Sequence, residues 1–355
     1  MSAQPEYPTD TLYVEPEIPF EATLALDYLQ QAGITERLNI PGVTDVAINR
    51  PGEIWVETPK GWIREQLPQL DLALCQRVAQ LLCAFNHRSL GPQSPIHTVE
   101  LPYGERGQIV TAPACERGTV SMTFRKPSLE RFTLEDYISS GRFDRAQAVS
   151  SPRTTLQDWQ QQMELAHRRR DWKTFFRLAI QHRQNIIIFG GPGSGKTTFG
   201  KSLMDLFPKG RRMITIQEVK ELGVPHHPNH VHLFYGPIVS PKVLVASSLR
   251  MKPDHLFLAE LTGDEVWHFL EILNTGTRGT VTTAHANDSE AGYARVCGLV
   301  KQSEVGKGLD YEYIERLVRT SFDVVVYMEG THILEVHYEP QHKLNLLAGT
   351  HGGIR

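Results

Sequence analysis

The densest chemistry in this 355-residue chain is the run GGPGSGKTT at 190–198. Gly190, four residues, then Gly195, Lys196 and Thr197 reproduce the full spacing of a phosphate-binding loop. Glycine at 190, 191, 193 and 195 lets successive backbone N–H groups turn inward, and lets the main chain approach a polyphosphate closely. Ser194 completes the turn, and a helix opening at the lysine adds positive potential where the phosphate charge would lie. Lys196 is placed to reach the β- and γ-phosphates, the Thr197 hydroxyl to hold Mg²⁺, and Thr198 to line the same cradle. The ligands implied are ATP and Mg²⁺.

A triphosphate site needs carboxylates and a proton-handling group at the same edge. Glu260 closes HLFLAE (255–260), where it can support Mg²⁺ or orient water. Glu218 closes ITIQE and is followed by Glu221. One of these acids would be the general base. GTVTTAHAND (279–288) reads as a strand, since β-branched residues suit a pleated surface, and His285 stands at its end. Beside the γ-phosphate that imidazole can report whether the bound nucleotide is ATP.

These groups need strands that end together. NIIIFG (185–190) is a short unbroken apolar run, as in a parallel strand buried on both faces. TTFGKSLMDLF (197–207) spaces its apolar residues as a helix, and RRMITIQE (211–218) and HLFLAE read as further strands. DEVWHFLEILN (264–274) is a helix. Strand–helix alternation predicts an α/β domain with a parallel sheet, in which ligands bind at the carboxyl ends of the strands. The tail, DVVVYMEGTHILEVHYEPQHKLNLL, reads as an antiparallel meander.

Upstream the pattern differs. Short strands over 44–67, a helix over 71–85 capped by Asp71, and a strand pair at 105–114 and 118–128 predict a smaller α+β domain with a meander. The divisions are a mobile N-terminus at 1–20, the α+β domain at 21–141, a polar linker at 142–155 and the nucleotide domain at 156–355. A helix from residue 156 toward 183 carries HRRR (167–170), which reads as a solvated face. The histidine-rich PHHPNHVH (225–232) reads as a surface loop close to the nucleotide-domain interface, because its spacing matches no recognised metal-ligand pattern.

Net charge is −3, so no overall basic field recruits nucleic acid. The four cysteines are scattered, without a C-x-x-C pair, and fit reduced thiols. No apolar run approaches the ~20 residues that span a bilayer, and the first twenty residues lack the pattern of a signal peptide.

Taken in order, the phosphate loop, ITIQEVKEL (214–222), SSLRMKPDHLFLAELTGDE (247–265) and TTAHAN (282–287) resemble the four boxes of the traffic ATPases of bacterial type IV secretion systems. LPYGERGQIV (101–110) and SMTFRKPS (121–128) resemble that family's N-terminal signature. The resemblance runs from about residue 43 to 336. It implies a RecA-like ATPase domain behind a smaller N-terminal domain, with Arg106 and Arg125 closing over the phosphates. It also implies a homohexameric ring on the cytoplasmic face of the inner membrane, held there peripherally. The work would go to substrate translocation or pilus assembly, with other secretion ATPases and inner-membrane channel subunits as partners. The chain departs from the family at Ala259, usually glycine, at Thr262, usually arginine, and at Gln217-Glu218, usually Glu-Asp. The alternatives are a type II secretion or pilus motor of the same fold, an ATP-binding switch with little turnover, and a nucleic-acid translocase, which the charge balance disfavours.

Overall fold

A computed structural model describes residues 20–127 and 131–349. The mobile segment expected at 1–20 lies, except for Phe20, outside the described residues. Two α/β bodies follow one another, and each is built as the local sequence dictates.

The first comprises α1 (Phe20–Gln31), α2 (Ile34–Leu38), β1 (Asp45–Ile48), β2 (Glu53–Thr58), β3 (Gly61–Gln66), α3 (Leu72–Phe85), β4 (Ile96–Glu100), β5 (Arg106–Thr111) and β6 (Val120–Arg125). Asp71 accepts the Leu74 N–H at 2.7 Å and caps α3, whose Leu74, Val78 and Leu82 sink into the core. The sheet order is β3-β2-β1-β6-β5-β4, all antiparallel. A meander would leave β1 at an edge. Instead the last long strand, β6, returns to pair with β1, so the buried rows of both hairpins share one face with α1 and α3.

The connection is longer and more exposed than the polar text suggests. α4 (Leu134–Ser139) has a complete Thr133/Asp136 capping box yet buries no residue, and exposure continues to Thr155. The core of the first body therefore closes at β6. Local helix signals formed α4, and its Tyr137 meets the neighbouring Phe132 and Arg142 side chains without any α4 residue becoming buried.

The second body opens with α5 (Asp158–Arg168) and α6 (Trp172–Gln181), broken where Arg170 turns to φ 56° and Asp171 caps the next helix. Then come β7 (Ile186–Gly190), α7 (Lys196–Met204), β8 (Met213–Gln217), β9 (His230–Phe234), α8 (Pro241–Ser248), β10 (His255–Leu258), α9 (Glu265–Leu273), β11 (Val281–Ala284), α10 (Ser289–Gln302), α11 (Tyr311–Ser321), β12 (Val324–Glu329), β13 (His332–His337) and α12 (Pro340–Ala348). The expected tail meander is a single hairpin. Its last part is α12, begun by Pro340 at a first helical position, where a missing N–H is harmless.

Two hydrogen-bonded sets make the second sheet: β10-β8-β9, all parallel, and β11-β7-β12-β13, parallel except for the β12–β13 hairpin. β10 and β11 lie side by side. They are joined by threonine hydroxyls: Thr280 Oγ1 donates to Leu256 O and Thr282 Oγ1 to Leu258 O, both at 2.6 Å.

The first body covers the edge strand β9. Phe234 N–H donates to Ala114 O at 2.9 Å, and Cys115 bridges to Leu233. Beside this seam Arg212 is fully buried. It donates to Met251 O, Asn49 Oδ1 and Asn229 Oδ1 at 2.7 Å and to Thr123 Oγ1 at 3.1 Å. PHHPNHVH is a surface loop only in part: Pro225, His226 and Pro228 are exposed, but His227 and Asn229 are fully buried at the interdomain edge and His232 nearly so. An interdomain edge must pair its polar backbone, which this segment does.

Candidate active site

β7, β10 and β11 run parallel, so their carboxyl ends meet. β7 delivers the glycine loop. Gly190 has φ 155°, and a Cβ there would lie 2.3 Å from Met328 O and 2.6 Å from Ser194 Oγ. Only glycine lets the loop leave β7 against β12. Gly195, at φ 87°, reverses the chain into α7, and Ser194 Oγ ties the turn to Gly191 O at 2.9 Å. Gly191 and Thr197 are half-buried, and Gly193 and Thr198 exposed, so the loop has an open side.

Lys196 is buried at the first turn of α7. Its Nζ donates to Gly190 O at 2.9 Å and Gly191 O at 2.8 Å, and stands 3.3 Å from His285 Nδ1. Burial lowers its pKa, and the negative charge of Glu260 offsets part of that. His285, just beyond β11, sets Nε2 3.0 Å from Glu260 Oε1, and Nδ1 is 3.2 Å from Gly190 O. With the proton on Nε2, the ring donates to Glu260 and accepts from Lys196 at Nδ1, while Lys196 supplies the donor to Gly190 O. Lysine, histidine and glutamate therefore form one chain across three strands.

Glu218 lies just past β8, exposed, at the same edge. Tyr235, just past β9, marks the convergence: burial, with the charges of Glu218, Glu260, Glu265 and Glu221, pushes its hydroxyl up to about 12. Gln217 explains the altered acidic pair. Its amide nitrogen donates to Thr215 Oγ1 at 3.0 Å, and its oxygen accepts the N–H groups of Glu221 and Leu222 at 2.8 and 2.7 Å. The neutral amide holds the following turn, which a carboxylate could not do while also donating.

Two functional neighbours escaped the sequence reading. Tyr235 carries no motif. Glu265 is buried and accepts from Thr262 N and Gly263 N at 2.8 and 2.9 Å, fixing the loop after Glu260. An acid at the start of an apolar helix was its available signal.

Arg106 and Arg125 are not brought to this loop. They face one another in register on β5 and β6. Arg106 is exposed, and Arg125 pairs with buried Asp45 at 2.8 Å. Nearby Glu57 bonds Lys252 at 3.3 Å, ahead of β10. That corner belongs to the amino-terminal edge of the sheet, opposite the glycine loop.

The donor set fits a nucleoside triphosphate with Mg²⁺: a glycine loop that leaves β7 at a Gly190 without room for a side chain and is open at Gly191 and Gly193, a buried ammonium, the Thr197 hydroxyl and a one-third-exposed Glu260 carboxylate. Among the described residues, no helix is long and apolar enough to cross a membrane.

Residues 152–329 match the family described as Type II/IV secretion system protein. The chain is 39% identical over 321 residues to the type IV secretion system protein VirB11 of Brucella suis, covering 86% of this chain and 88% of the relative. It is 34% identical to the type IV secretion system protein PtlH of Bordetella pertussis, covering 81% and 85%. The crystal structure of the Brucella suis VirB11 ATPase in complex with sulphate superposes with a TM-score of 0.87 at 38% identity, covering 92% of this chain and 98% of that one. With a RecA-like nucleotide domain behind a smaller α+β domain, this chain belongs to the type II/IV secretion system family, as a type IV secretion ATPase of the VirB11 type.

Proposed function

We propose that this protein hydrolyses ATP with Mg²⁺ as a homohexameric ring motor, and that turnover drives substrate translocation or pilus assembly by a type IV secretion system. The supporting observation is the contact chain from Lys196 through His285 to Glu260, closed within 3.3 Å across three strand ends. In this reading the loop N–H groups and Lys196 bind the phosphates. Thr197 and Glu260 would hold Mg²⁺, which neutralises phosphate charge when bound. Glu260 or Glu218 takes the proton of the attacking water, and His285 couples γ-phosphate contact to Glu260. Association with the cytoplasmic face of the inner membrane, other secretion ATPases and channel subunits completes the proposal.

A second reading is an ATP-binding switch with little turnover. Gln217 favours it, because its amide is committed to the turn and leaves the acidic pair one carboxylate short. One experiment separates the two: phosphate release from Mg-ATP against protein concentration, with native mass measured alongside. Turnover that rises with assembly into a hexamer supports the motor. Tight ATP binding without phosphate release supports the switch.

A further inference from the structure

We propose that Thr283 is a positioning residue that sets the distance between Glu260 and His285, by holding β10 to β11 through side-chain hydroxyls. The inference rests on the ATPase reading above.

The sheet changes its construction at this seam. β11 is bound to β7 by a parallel ladder in which Ala284 faces Phe189, the residue before Gly190. His285 is therefore in fixed register with the glycine loop. β10 is bound to β8 by a similar ladder. Between β10 and β11 the strand carbonyls of Leu256 and Leu258 accept threonine hydroxyls instead. A backbone ladder forms with almost any side chain, whereas a hydroxyl seam requires Thr280, Thr282 and Thr283 themselves. Each is buried, and β-branching restricts the rotamers that aim the hydroxyls.

Thr283 occupies the end of the seam nearest the chemistry and makes two bonds there. Its Oγ1 donates to Ala259 O at 2.8 Å, and its carbonyl accepts the Leu261 N–H at 2.8 Å. Both residues flanking Glu260 are thus fixed to one threonine, two positions before His285. With those flanks held, the Glu260 carboxylate lies 3.0 Å from His285 Nε2. Without the hydroxyl, Ala259 O loses its donor and one side of Glu260 is released. The contact made from β10 to β11 then widens, while the contacts from β11 to the glycine loop stay.

The test uses the full chain and four variants: Thr283→Val, Thr283→Ser, Thr280→Val and Glu260→Gln. Thr283→Val keeps the branched shape but lacks the hydroxyl. It should lower kcat at least ~10-fold while changing nucleotide affinity less than about threefold, as expected when positioning and not binding is lost. Thr283→Ser should recover most of that loss. Thr280→Val removes a hydroxyl from the same seam farther from Glu260, so it should lower Tm similarly yet leave kcat within about twofold. In a Glu260→Gln background, Thr283→Val should move the ¹⁵N signal of the His285 ring no further, because it acts through Glu260. A readout without turnover is the ¹⁵N signal of the His285 ring, which Thr283→Val should move toward its position in Glu260→Gln. Unchanged kcat and an unchanged ring signal in Thr283→Val overturn the proposal, as does a further ring shift when Thr283→Val is added to Glu260→Gln. A wild type with no turnover, but with the expected ring shift, overturns the ATPase reading and leaves the positioning role standing.

Discussion

Lys196 ties the glycine loop to His285, and the groups it joins give separable expectations. Lys196→Ala should abolish phosphate release and weaken ATP binding, because it removes the cation from the β/γ-phosphates, while the fold survives. A variant that turns over like wild type would misassign the loop. Glu260→Gln should retain binding and lose turnover, since it keeps shape and its amide can still meet His285, but it cannot take a proton. Glu218→Gln discriminates the base: Glu218 has an open position, whereas Glu260 is engaged by His285 at 3.0 Å. Loss of turnover on Glu218→Gln assigns the base to Glu218, and unchanged turnover moves it to Glu260 or Glu221. His285→Ala should reduce ATP turnover and spare ADP affinity, because the ring would lie at the γ-phosphate end. Equal loss of both affinities would make it structural. The loop was legible in the sequence because its chemistry demands contiguous residue types. Tyr235 and Glu265 were not, because their importance comes from what folds around them, two and three strands beyond β7 in the chain.

Among elements, those with one dominant local signal matched their expectation: α3 with its Asp71 cap, β7 with its apolar run, α7 after the glycine loop. Those that failed depended on partners. β6 chose β1 over a meander, α4 formed from its caps alone, and β9 took its histidines inward because the first body covers that edge. Two buried histidines, His232 on β9 and His255 on β10, predict acid sensitivity. Burial lowers His232 and His255 from 6.5 to about 4, with neighbouring positive groups adding to it. Between those values the unfolded chain binds protons that the folded chain refuses, so stability is full above about pH 6.5 and falls as pH drops toward 4. At pH 5 the two together should lower stability by on the order of 2–4 kcal/mol, read as a fall in Tm or urea midpoint from pH 7.5. A Tm that is flat from pH 7.5 to 5 would mean that these rings accept protons in the folded protein.

For the whole molecule the question is how the two bodies act together. Beside the β9 seam their contact holds a buried polar junction: the Arg212 guanidinium reaches Asn49 and Thr123 of the first body and Met251 O and Asn229 of the second. Charges from Asp45, Asp254 and Glu57 support it, while burial lowers its pKa to about 10, so it remains charged at neutral pH. Arg212→Met keeps much of the volume but strands Asn49, Asn229 and Thr123, and should destabilise the protein by ~3–5 kcal/mol. The same variant should expose the 131–155 connection to faster proteolysis. This docking decides where Arg106 and Arg125 can act. They sit at the amino-terminal edge of their own chain's sheet, beside Asp45 and Lys252, whereas the phosphate loop is at the carboxyl edge. If they contribute to turnover with this interface intact, they must do so on a neighbouring subunit. Arginine suits such a contact, because its planar fork meets phosphate bidentately and keeps its charge. Arg106→Ala and Arg125→Ala should each cut activity ~10-fold, as loss of a charged phosphate contact would. Mixing an Arg106→Ala/Arg125→Ala chain with a Lys196→Ala chain then tests the direction. In mixed assemblies, some intact phosphate loops would face intact arginines, and activity should rise above that of either variant alone. A mixture no more active than its components would place arginines and loop in one chain, and would require the Arg212 junction to open during the cycle.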